Sequence, residues 1–367
     1  MTVTTNASDC DSLSSLISHS HYYRTGRLEC DPAPYQGQAE PRVGYVRTYV
    51  DDTPEYSLVI PVYNQGSIIA RTLSHVLCNT VGLYEVILVL DYCSDDTASA
   101  AINFFESFPP PPGLCRVVIV FADTPIFETA SDNLGFTLSR ANFVVEIQAD
   151  MVVHEYAYNR ALTAPLRMYD DICGVSGRCT HTFDKSLGVG KMGRSIEKKL
   201  PRLLSRNVIY MLGTCSRGPL ALRKDMLEKL GFLDERNYFL DDSDHDLFAR
   251  AYDRFGWRCG YVPIEVVAML SDGSTRKQCG SATASHEDLN ARVKEEKKRT
   301  CVRGYLRTCS SVPRPPIDVR PLTGNPCVAY AWLIVIRMTP VVRWAKRALA
   351  KATRLLNSRW KRPLSDQ

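Results

Sequence analysis

Three apolar segments of this chain each run into polar or acidic residues. The segments are 57–62, 85–90 and 143–148, and the residues that follow them include Asn64, Asp91 and Asp150. They are rich in β-branched residues, and stretches with helical apolar spacing separate them, which indicates strands alternating with helices. This alternation predicts an α/β fold with a mostly parallel central sheet flanked by helices. Because ligands of such sheets bind beyond the carboxyl ends of the strands, the three ends predict one shared acidic site.

Length and composition agree with a globular fold. The chain has 367 residues, of which 45% are hydrophobic and 23% are charged, and this suffices for a sizeable core. The predicted segments are a polar, partly flexible lead-in at 1–55, a main domain at 56–280 with halves 56–151 and 152–280, a charged helix and Pro-rich linker at 281–326, and a basic tail at 327–367.

The cysteines and the termini indicate a compartment. The chain has 13 Cys, without a CxxC pair or a Cys/His series at zinc spacing. We therefore expect reduced thiols in a cytoplasmic setting. The amino terminus lacks a basic start followed by an apolar run, so we expect no signal peptide. The apolar run at 327–336 ends at Arg337 and is too short for a transmembrane helix.

Two interpretations are open for the acids at the strand ends. Ser94 and Asp95 are good helix caps, and acids suit a helix amino terminus. Alternatively, the carboxylate of Asp150 could bind Mg²⁺ or Mn²⁺, which use few protein ligands and complete their shell with water and phosphate oxygens.

The densest acidic cluster lies at 241–246 and begins a predicted helix. One interpretation is a helix start with its charges in solvent. The other is the site of a general base, because neighbouring carboxylates repel one another and the pKa of one of them can be raised.

The order of these motifs resembles family-two inverting glycosyltransferases with the GT-A fold, which is Rossmann-like. The matching segments are Val59–Asn64, Asp91–Thr97, Asn133-Leu134-Gly135, Gln148-Ala149-Asp150, 230–235, Ser243–Leu247 and 256–263. Together they extend from about Tyr56 to Lys277. Each piece is short, and their shared order makes the resemblance specific.

The resemblance implies transfer of a sugar from a nucleotide-diphosphate sugar, such as a UDP- or GDP-sugar, to an acceptor hydroxyl. Asp244 would be the general base, with Asp242 as its nearest rival, and Asp150 would bind Mg²⁺ or Mn²⁺. The implied nucleotide-sugar contacts are Pro61, Tyr63, Asn64, Asp91, Asp96, Asn133 and Gln148. The implied acceptor side consists of Arg217, Gly218, Pro219 and Asp241.

The chain departs from the family pattern at two positions. Gln148 replaces the first acid of the metal-binding Asp-x-Asp, and 269–272 lack the His that often follows the last strand. Both departures favour an alternative, a degenerate glycosyltransferase that acts as a binding or scaffold protein. A sugar-1-phosphate nucleotidyltransferase is a further alternative, but it requires a Gly-rich loop after the first strand, and 61–66 contain one Gly.

The tail is basic and amphipathic. Residues 319–367 hold ten Lys or Arg and one acidic residue, within a total net charge of +5. Val341, Ala345 and Ala348 share a predicted helical face, and basic residues line much of the rest. This pattern predicts a helix at an anionic membrane surface, and hence a peripheral position on a membrane face. A helix docked on the core is the other interpretation. Nucleic acid is an unlikely partner, because no nucleic-acid motif accompanies the charge.

Overall fold

A computed structural model describes residues 10, 12–13, 41–124, 126–177, 207–235, 243–269, 318–322, 327, 331 and 334. The strands are β1 (Arg42–Thr48), β2 (Tyr56–Val62), β3 (Tyr84–Asp91), β4 (Leu114–Ala122), β5 (Phe143–Glu146), β6 (Met151–Val153), β7 (Ile172–Ser176), β8 (Val208–Leu212), β9 (Leu220–Arg223), β10 (Arg258–Tyr261), β11 (Val266–Ala268) and β12 (Asp318–Pro321). The helices are α1 (Ile69–Asn79), α2 (Thr97–Ser107), α3 (Phe127–Leu138), α4 (Tyr158–Met168), α5 (Lys224–Leu230) and α6 (Ser243–Phe255).

In the described part of the chain, ten strands form one sheet in the order β1-β4-β3-β2-β5-β9-β7-β10-β8-β12. All of them except β1, β8 and β9 point in the same direction. Strand β2 lies between β3 and β5 and is parallel to both. The strand order thus reverses at β2, and in open α/β sheets the ligand crevice lies at such a point, where the connections on the two sides diverge.

Helices cover both faces of the sheet. In β2, the side chain of Val59 belongs to one core, and those of Leu58 and Ile60 belong to the other. Helices α3, α5 and α6 cover the first face, and α1, α2 and α4 cover the second. Every residue of β3 is buried, which explains its unbroken apolar sequence.

One close contact fixes α3 against β2. A Cβ atom on Gly135 would lie 2.2 Å from Cγ1 of Val59, so only a glycine permits this approach. The contact holds the carboxyl-terminal part of α3 against the middle of β2.

A second, two-stranded sheet supports the segment after β5. Strand β6 pairs with β11 in an antiparallel arrangement, and the Met269 N–H donates to the backbone oxygen of Asp150 at 2.8 Å. On the other side, the Thr72 hydroxyl of α1 donates to the backbone oxygen of Ala149 at 2.7 Å. The backbone around Asp150 is therefore held from two directions.

The predicted α/β class with a mostly parallel central sheet is confirmed. Five observed elements were not predicted, which are β1, β6, α4, β11 and β12. Strand β1 lies within the predicted lead-in and forms an antiparallel edge beside β4. Helix α4 contains Pro165, which obscured its helical pattern. Most of the predicted charged helix and linker at 281–326 and most of the tail at 327–367 lie outside the described residues.

Candidate active site

Two loops at the carboxyl edge of the sheet are tied together by Asn64. Its Oδ1 accepts the Ser94 N–H at 2.8 Å, and its Nδ2 donates to the Ser94 hydroxyl at 3.3 Å. Asn64 has a φ of 48°, which asparagine tolerates better than most residues. The loops after β2 and β3 therefore form one surface. The contact of Asn64 with a nucleotide stays a prediction.

Asp95 lies just before α2. Its carboxylate accepts the Thr97 N–H at 3.0 Å and, across the two loops, the Gly66 N–H at 3.0 Å. The N-cap residue of α2 is Asp96, without a side-chain capping hydrogen bond, so Asp95 is not the predicted cap and accepts the Thr97 N–H from one position earlier, whereas Ser94 bonds to Asn64. Asp96 is exposed at the same edge, and its predicted contact with the nucleotide sugar is untested.

Asp91 is buried at the end of β3, where it is 4% exposed. Its two oxygens accept the N–H groups of Ile126 and Phe127, at 2.8 and 3.0 Å, at the start of α3. Burial raises the pKa of Asp91 to about 7, although these two hydrogen bonds act to lower it. In this arrangement Asp91 positions α3. Its predicted contact with the base or ribose is a separate role that these contacts do not support.

Pro61 and Tyr63 are partly buried at the end of β2, beside Asn64. Tyr92, which follows Asp91, has a φ of 47° and is 42% exposed. The edge therefore presents two tyrosines next to the crevice at β2, and Pro61 and Tyr63 stay candidate nucleotide contacts.

Asn133 lies in the interior of the protein. It is fully buried in α3, and its Nδ2 donates to the Leu233 backbone oxygen and to Glu235 Oε2, both at 2.8 Å. Its Oδ1 accepts the Leu233 N–H at 3.0 Å. All the polar atoms of this amide are thus bonded to the loop after α5. Asn133 therefore anchors that loop in the interior, and its predicted contact with the nucleotide sugar stays a prediction.

Gln148 follows β5 and donates from Nε2 to Oε1 of Glu128 at 3.2 Å. Glu128 lies in the first turn of α3 and also pairs with Arg217, with 3.3 Å between Oε2 and Nη2. Glu128 was not among the predicted site residues. Its position as an acid in the first turn of a helix could have indicated it. The glutamine thus has a carboxylate as its neighbour.

Asp150 is partly buried beyond Gln148. Within the described residues, no three His, Cys, Asp or Glu side chains are grouped in a way that could hold a metal ion. Mg²⁺ and Mn²⁺ do not need such a group, because one or two carboxylates, water and substrate phosphates complete their coordination. The hard oxygen donors of Asp150 and Gln148 fit a cation that arrives with a diphosphate.

Arg217 lies inside the protein, where its side chain is 6% exposed. Its Nη1 donates to Oδ2 of Asp132 at 2.7 Å, in addition to its pair with Glu128. In this arrangement the guanidinium faces the carboxylates of α3. The predicted contacts of Arg217, Gly218 and Pro219 with the acceptor stay predictions.

Gly218 fits closely against Gln148. It has a φ of 64°, and a Cβ atom would lie 2.8 Å from Cγ of Gln148. Its N–H donates to Oε2 of Glu146 at 2.7 Å, and the bond from Gly218 to Pro219 is cis. Pro219 is buried, and its backbone oxygen accepts the Gly177 N–H at 2.9 Å. This turn therefore lies directly over the end of β5.

Asp244 lies in the first turn of α6, with 12% of its side chain exposed. Its Oδ2 accepts the Arg217 N–H at 3.3 Å, and its Oδ1 accepts the His245 N–H at 2.9 Å. Asp246 faces away and pairs with Arg250 at 2.6 Å. Asp241 and Asp242 lie outside the described residues, so the structure offers no comparison between Asp242 and Asp244.

The acids around Arg217 outnumber the single guanidinium. Burial raises the pKa of Asp132 to about 7 against the lowering effect of Arg217, and burial together with Asp132 raises the pKa of Glu146 well above its usual range. Burial alone would lower the pKa of Arg217, but the surrounding carboxylates of Glu128, Asp132, Asp244 and Glu146 raise it. Glu146 Oε1 and Asp132 Oδ1 are buried without a hydrogen-bond partner. This cluster therefore favours protons on some of its acids near neutral pH.

Other sequence expectations concern the rest of the described chain. The described cysteines, which are Cys10, Cys78, Cys93, Cys115, Cys173, Cys215, Cys259 and Cys327, are free thiols. None of the helices in the described ranges combines the length and the apolar character that a bilayer crossing needs.

Known proteins were compared with this chain. Residues 57–231 match the family described as Glycosyl transferase family 2. No curated protein sequence matches. Among solved structures, the mannosyltransferase PcManGT from Pyrobaculum calidifontis, in complex with GDP-Man and Mn²⁺, is 18% identical, with a TM-score of 0.46 over 73% of this chain and 70% of that one. GalNAc-T7 with UDP, GalNAc and Mn²⁺ is 16% identical, with a TM-score of 0.46 over 61% of this chain and 45% of that one. TarS of S. aureus is 14% identical, with a TM-score of 0.42 over 61% and 38%.

The family match covers both sides of the crevice at β2. It begins in β2 and ends directly after α5, so it contains Asn64, Asp91, Asp150 and Arg217 and ends before α6. The GT-A expectation agrees with the observed sheet, in which β2 lies between two parallel neighbours. Residues 57–231, a little under half of the chain, thus match glycosyl transferase family 2, and the chain is an enzyme of the glycosyltransferase class.

Proposed function

We propose that this glycosyltransferase uses a nucleotide-diphosphate sugar and inverts the configuration at the sugar carbon. The oxygen of an acceptor hydroxyl attacks C1 of the sugar, and a new C1–O bond forms as the bond from C1 to the phosphate oxygen breaks. The electron pair of that bond leaves with the nucleoside diphosphate, and the hydroxyl proton passes to the carboxylate of Asp244.

One observation carries this proposal. The dipeptide Arg217-Gly218 joins the predicted base to the predicted cation side, because the Arg217 N–H donates to Asp244 at 3.3 Å and Gly218 packs against Gln148. The carboxylate of Asp244 and the end of β5 therefore both contact one short turn. A base there can reach an acceptor oxygen while the diphosphate lies over the strand ends.

The other roles follow from position. The surface that Asn64 and Ser94 hold together would bind the nucleoside, beside Pro61 and Tyr63. Asp150 would hold the cation, with Gln148 as a neutral oxygen donor. When bound, Mg²⁺ or Mn²⁺ would neutralise charge on the departing diphosphate.

The first experiment is a calorimetric titration of the purified chain with UDP-, GDP- and dTDP-sugars, with and without Mn²⁺. We expect one nucleotide to bind in a Mn²⁺-dependent manner, and Asp150→Ala to remove that dependence. Asp244→Asn should keep the affinity and abolish transfer, since it removes the proton acceptor only. Asp225→Asn is the matched control, because Asp225 is exposed on α5 at the opposite end of β9.

A catalytically inactive binding protein is the second candidate, which the neutral Gln148 favours. It would bind the nucleotide sugar with the same affinity in the protein with Asp244 and in Asp244→Asn. Neither form would transfer the sugar. Failure to bind any nucleotide sugar would contradict the proposal.

A peripheral position on a membrane face is the remaining part of the proposal, and the basic sequence of 327–367 supports it. Removal of these residues should abolish binding to anionic liposomes. Unchanged binding would show that the tail is not the contact.

A further inference from the structure

Arg217 is the only residue that the structure describes as an ion-pair partner of both Glu128 and Asp132. Both acids lie on α3, and the guanidinium reaches them at 3.3 and 2.7 Å. Two ion pairs from one buried arginine fix the planar guanidinium in position and direction. The backbone of residue 217 is thereby tied to α3.

The same residue contacts the predicted base. The Arg217 N–H donates to Oδ2 of Asp244 at 3.3 Å, and the His245 N–H holds the other oxygen at 2.9 Å. Two backbone donors thus fix the plane of the carboxylate of Asp244. The Arg217 N–H keeps its position beside Asp244 only if the backbone of residue 217 does not move.

Arg217 is also connected to the end of β5. Glu128, its partner on α3, accepts the Nε2–H of Gln148 at 3.2 Å, and the next residue, Gly218, donates to Glu146 at 2.7 Å. A displacement of the Arg217 side chain would therefore disturb Gln148 through Glu128 and Asp244 through the backbone.

From these contacts we propose that Arg217 is a positioning residue for the transfer reaction, which aligns Asp244 with the donor side of the site and does not itself contact the acceptor. The inference rests on the proposed function, in which Asp244 is the base. Arg217 acts through the backbone N–H that holds the carboxylate, and through the ion pairs that hold residue 217 against α3.

A purely stabilising ion pair would behave differently. Buried ion pairs are often replaceable by apolar groups without loss of stability, because the desolvation of both charges offsets their attraction. If Arg217 served stability alone, a variant that removes the charge together with a partner could fold and retain full turnover. A positioning role predicts that such a variant folds and is slow.

The test measures hydrolysis of UDP-glucose, UDP-N-acetylglucosamine and GDP-mannose, with water as the acceptor. The water oxygen bonds to C1, the bond from C1 to the phosphate oxygen breaks, and the proton passes to Asp244. The variants are Arg217→Lys, Arg217→Met and the double variant Arg217→Met with Asp132→Asn, which removes a charge and its partner together. Arg223→Met is the matched control, because Arg223 lies at the other end of β9 and its side chain bonds to the exposed Asp225.

We expect the double variant to fold with a melting temperature near that of the unchanged chain, with kcat at least tenfold lower and with KM and the nucleotide Kd within twofold. Arg217→Lys, which keeps the charge but not the two-pronged geometry, should restore part of kcat. Full kcat in the folded double variant would overturn the proposal, as would a rise in KM at unchanged kcat, which would indicate direct substrate contact. If the unchanged chain neither binds nor hydrolyses any of the nucleotide sugars, the proposed function itself fails.

Discussion

The side-chain amide of Gln148 donates to the carboxylate of Glu128, with 3.2 Å between Nε2 and Oε1. A carboxylate paired with an arginine offers only acceptors, so the NH₂ group of Gln148 must face Glu128 and its carbonyl oxygen must face the other way. At the position where the family pattern has an acid, this chain thus has a neutral oxygen, and the carboxylate that Gln148 bonds to lies on α3.

This pairing predicts the effect of restoring the acid. Gln148→Glu replaces a hydrogen bond by two facing carboxylates, and should lower the free energy of unfolding by about 2 kcal/mol. Adding Glu128→Gln returns a donor to the pair and should recover most of that loss. Urea denaturation of both single variants and the double variant measures the coupling. Additive losses in the double variant would mean that the two side chains do not interact.

Glu146 predicts how stability depends on pH. Burial, together with Asp132, raises the pKa of Glu146 well above its usual range. The folded protein therefore holds this proton more tightly than the unfolded chain, in which a glutamate has a pKa of about 4.3. The stabilising contribution is complete below that pH and is lost as the pH rises through the folded-state pKa.

We therefore expect the melting temperature to fall between about pH 5 and about pH 8, and Glu146→Gln, which mimics the protonated acid, to reduce that fall. Part of the fall in melting temperature with pH should remain, because Asp132 titrates in the same range. Its pKa is raised to about 7, chiefly by burial. Scanning calorimetry at several pH values gives the measurement. Glu228→Gln, at an exposed position on α5, is the control, and an equal effect of both variants would contradict the assignment.

Substitution of Asn133 distinguishes a structural role in the interior from a direct contact with the nucleotide sugar, which the family resemblance implies. Asn133→Ala leaves the Leu233 N–H and backbone oxygen without their partners, which should cost about 1–3 kcal/mol of stability. Because the side chain is fully buried and bonded to the loop after α5, the affinity for a nucleotide should change less than twofold. Calorimetry with the nucleotide and thermal melting measure the two effects. Asn103→Ala, at an exposed position of α2, should change neither.

Gly135 tests the packing of α3 on β2. Alanine is favoured over glycine within a helix by about 1 kcal/mol, whereas an added Cβ in a filled core costs about 1–3 kcal/mol. A methyl group 2.2 Å from Cγ1 of Val59 cannot be accommodated without movement, so Gly135→Ala should be destabilising overall. Combined with Val59→Ala, the two losses should be less than additive in chemical denaturation, because each substitution makes room for the other. Strict additivity would show that the helix shifts as a whole.

Much of the sheet could be predicted from local pattern. The strands at 57–62 and 85–90 are uniformly apolar, and the structure extends them by one or two residues. Strand β1 could not be predicted in this way, because Arg42–Thr48 alternates exposed and buried side chains and depends on β4 for its pairing. Helix α4 contains Pro165, and its buried face becomes apparent only against β7 and β9.

The candidate site was predictable as a location and less so in its contacts. The positions of Asp150 and Asp244 followed from motif order. The sequence contained Glu128, Asp132 and Glu146 without showing that they meet at Arg217, because long-range charge pairing leaves no local periodicity. Glu146 gave a signal that could have been used, since an acid at the end of an otherwise apolar strand requires a partner.

The hydrogen bond from Met269 to the backbone oxygen of Asp150, together with the pairing of β6 and β11, has a consequence for biosynthesis. A ribosome makes the loops after β2, β3 and β5 early, but the segment that braces Asp150 leaves the exit tunnel only after residue 269 has been added. A nascent chain that stops after α5 would have all of the strands from β2 to β5 and still lack this brace. The end of the crevice at Asp150, where the cation is proposed to bind, is thus finished late in translation, after the helix that bears Asp244 has also emerged.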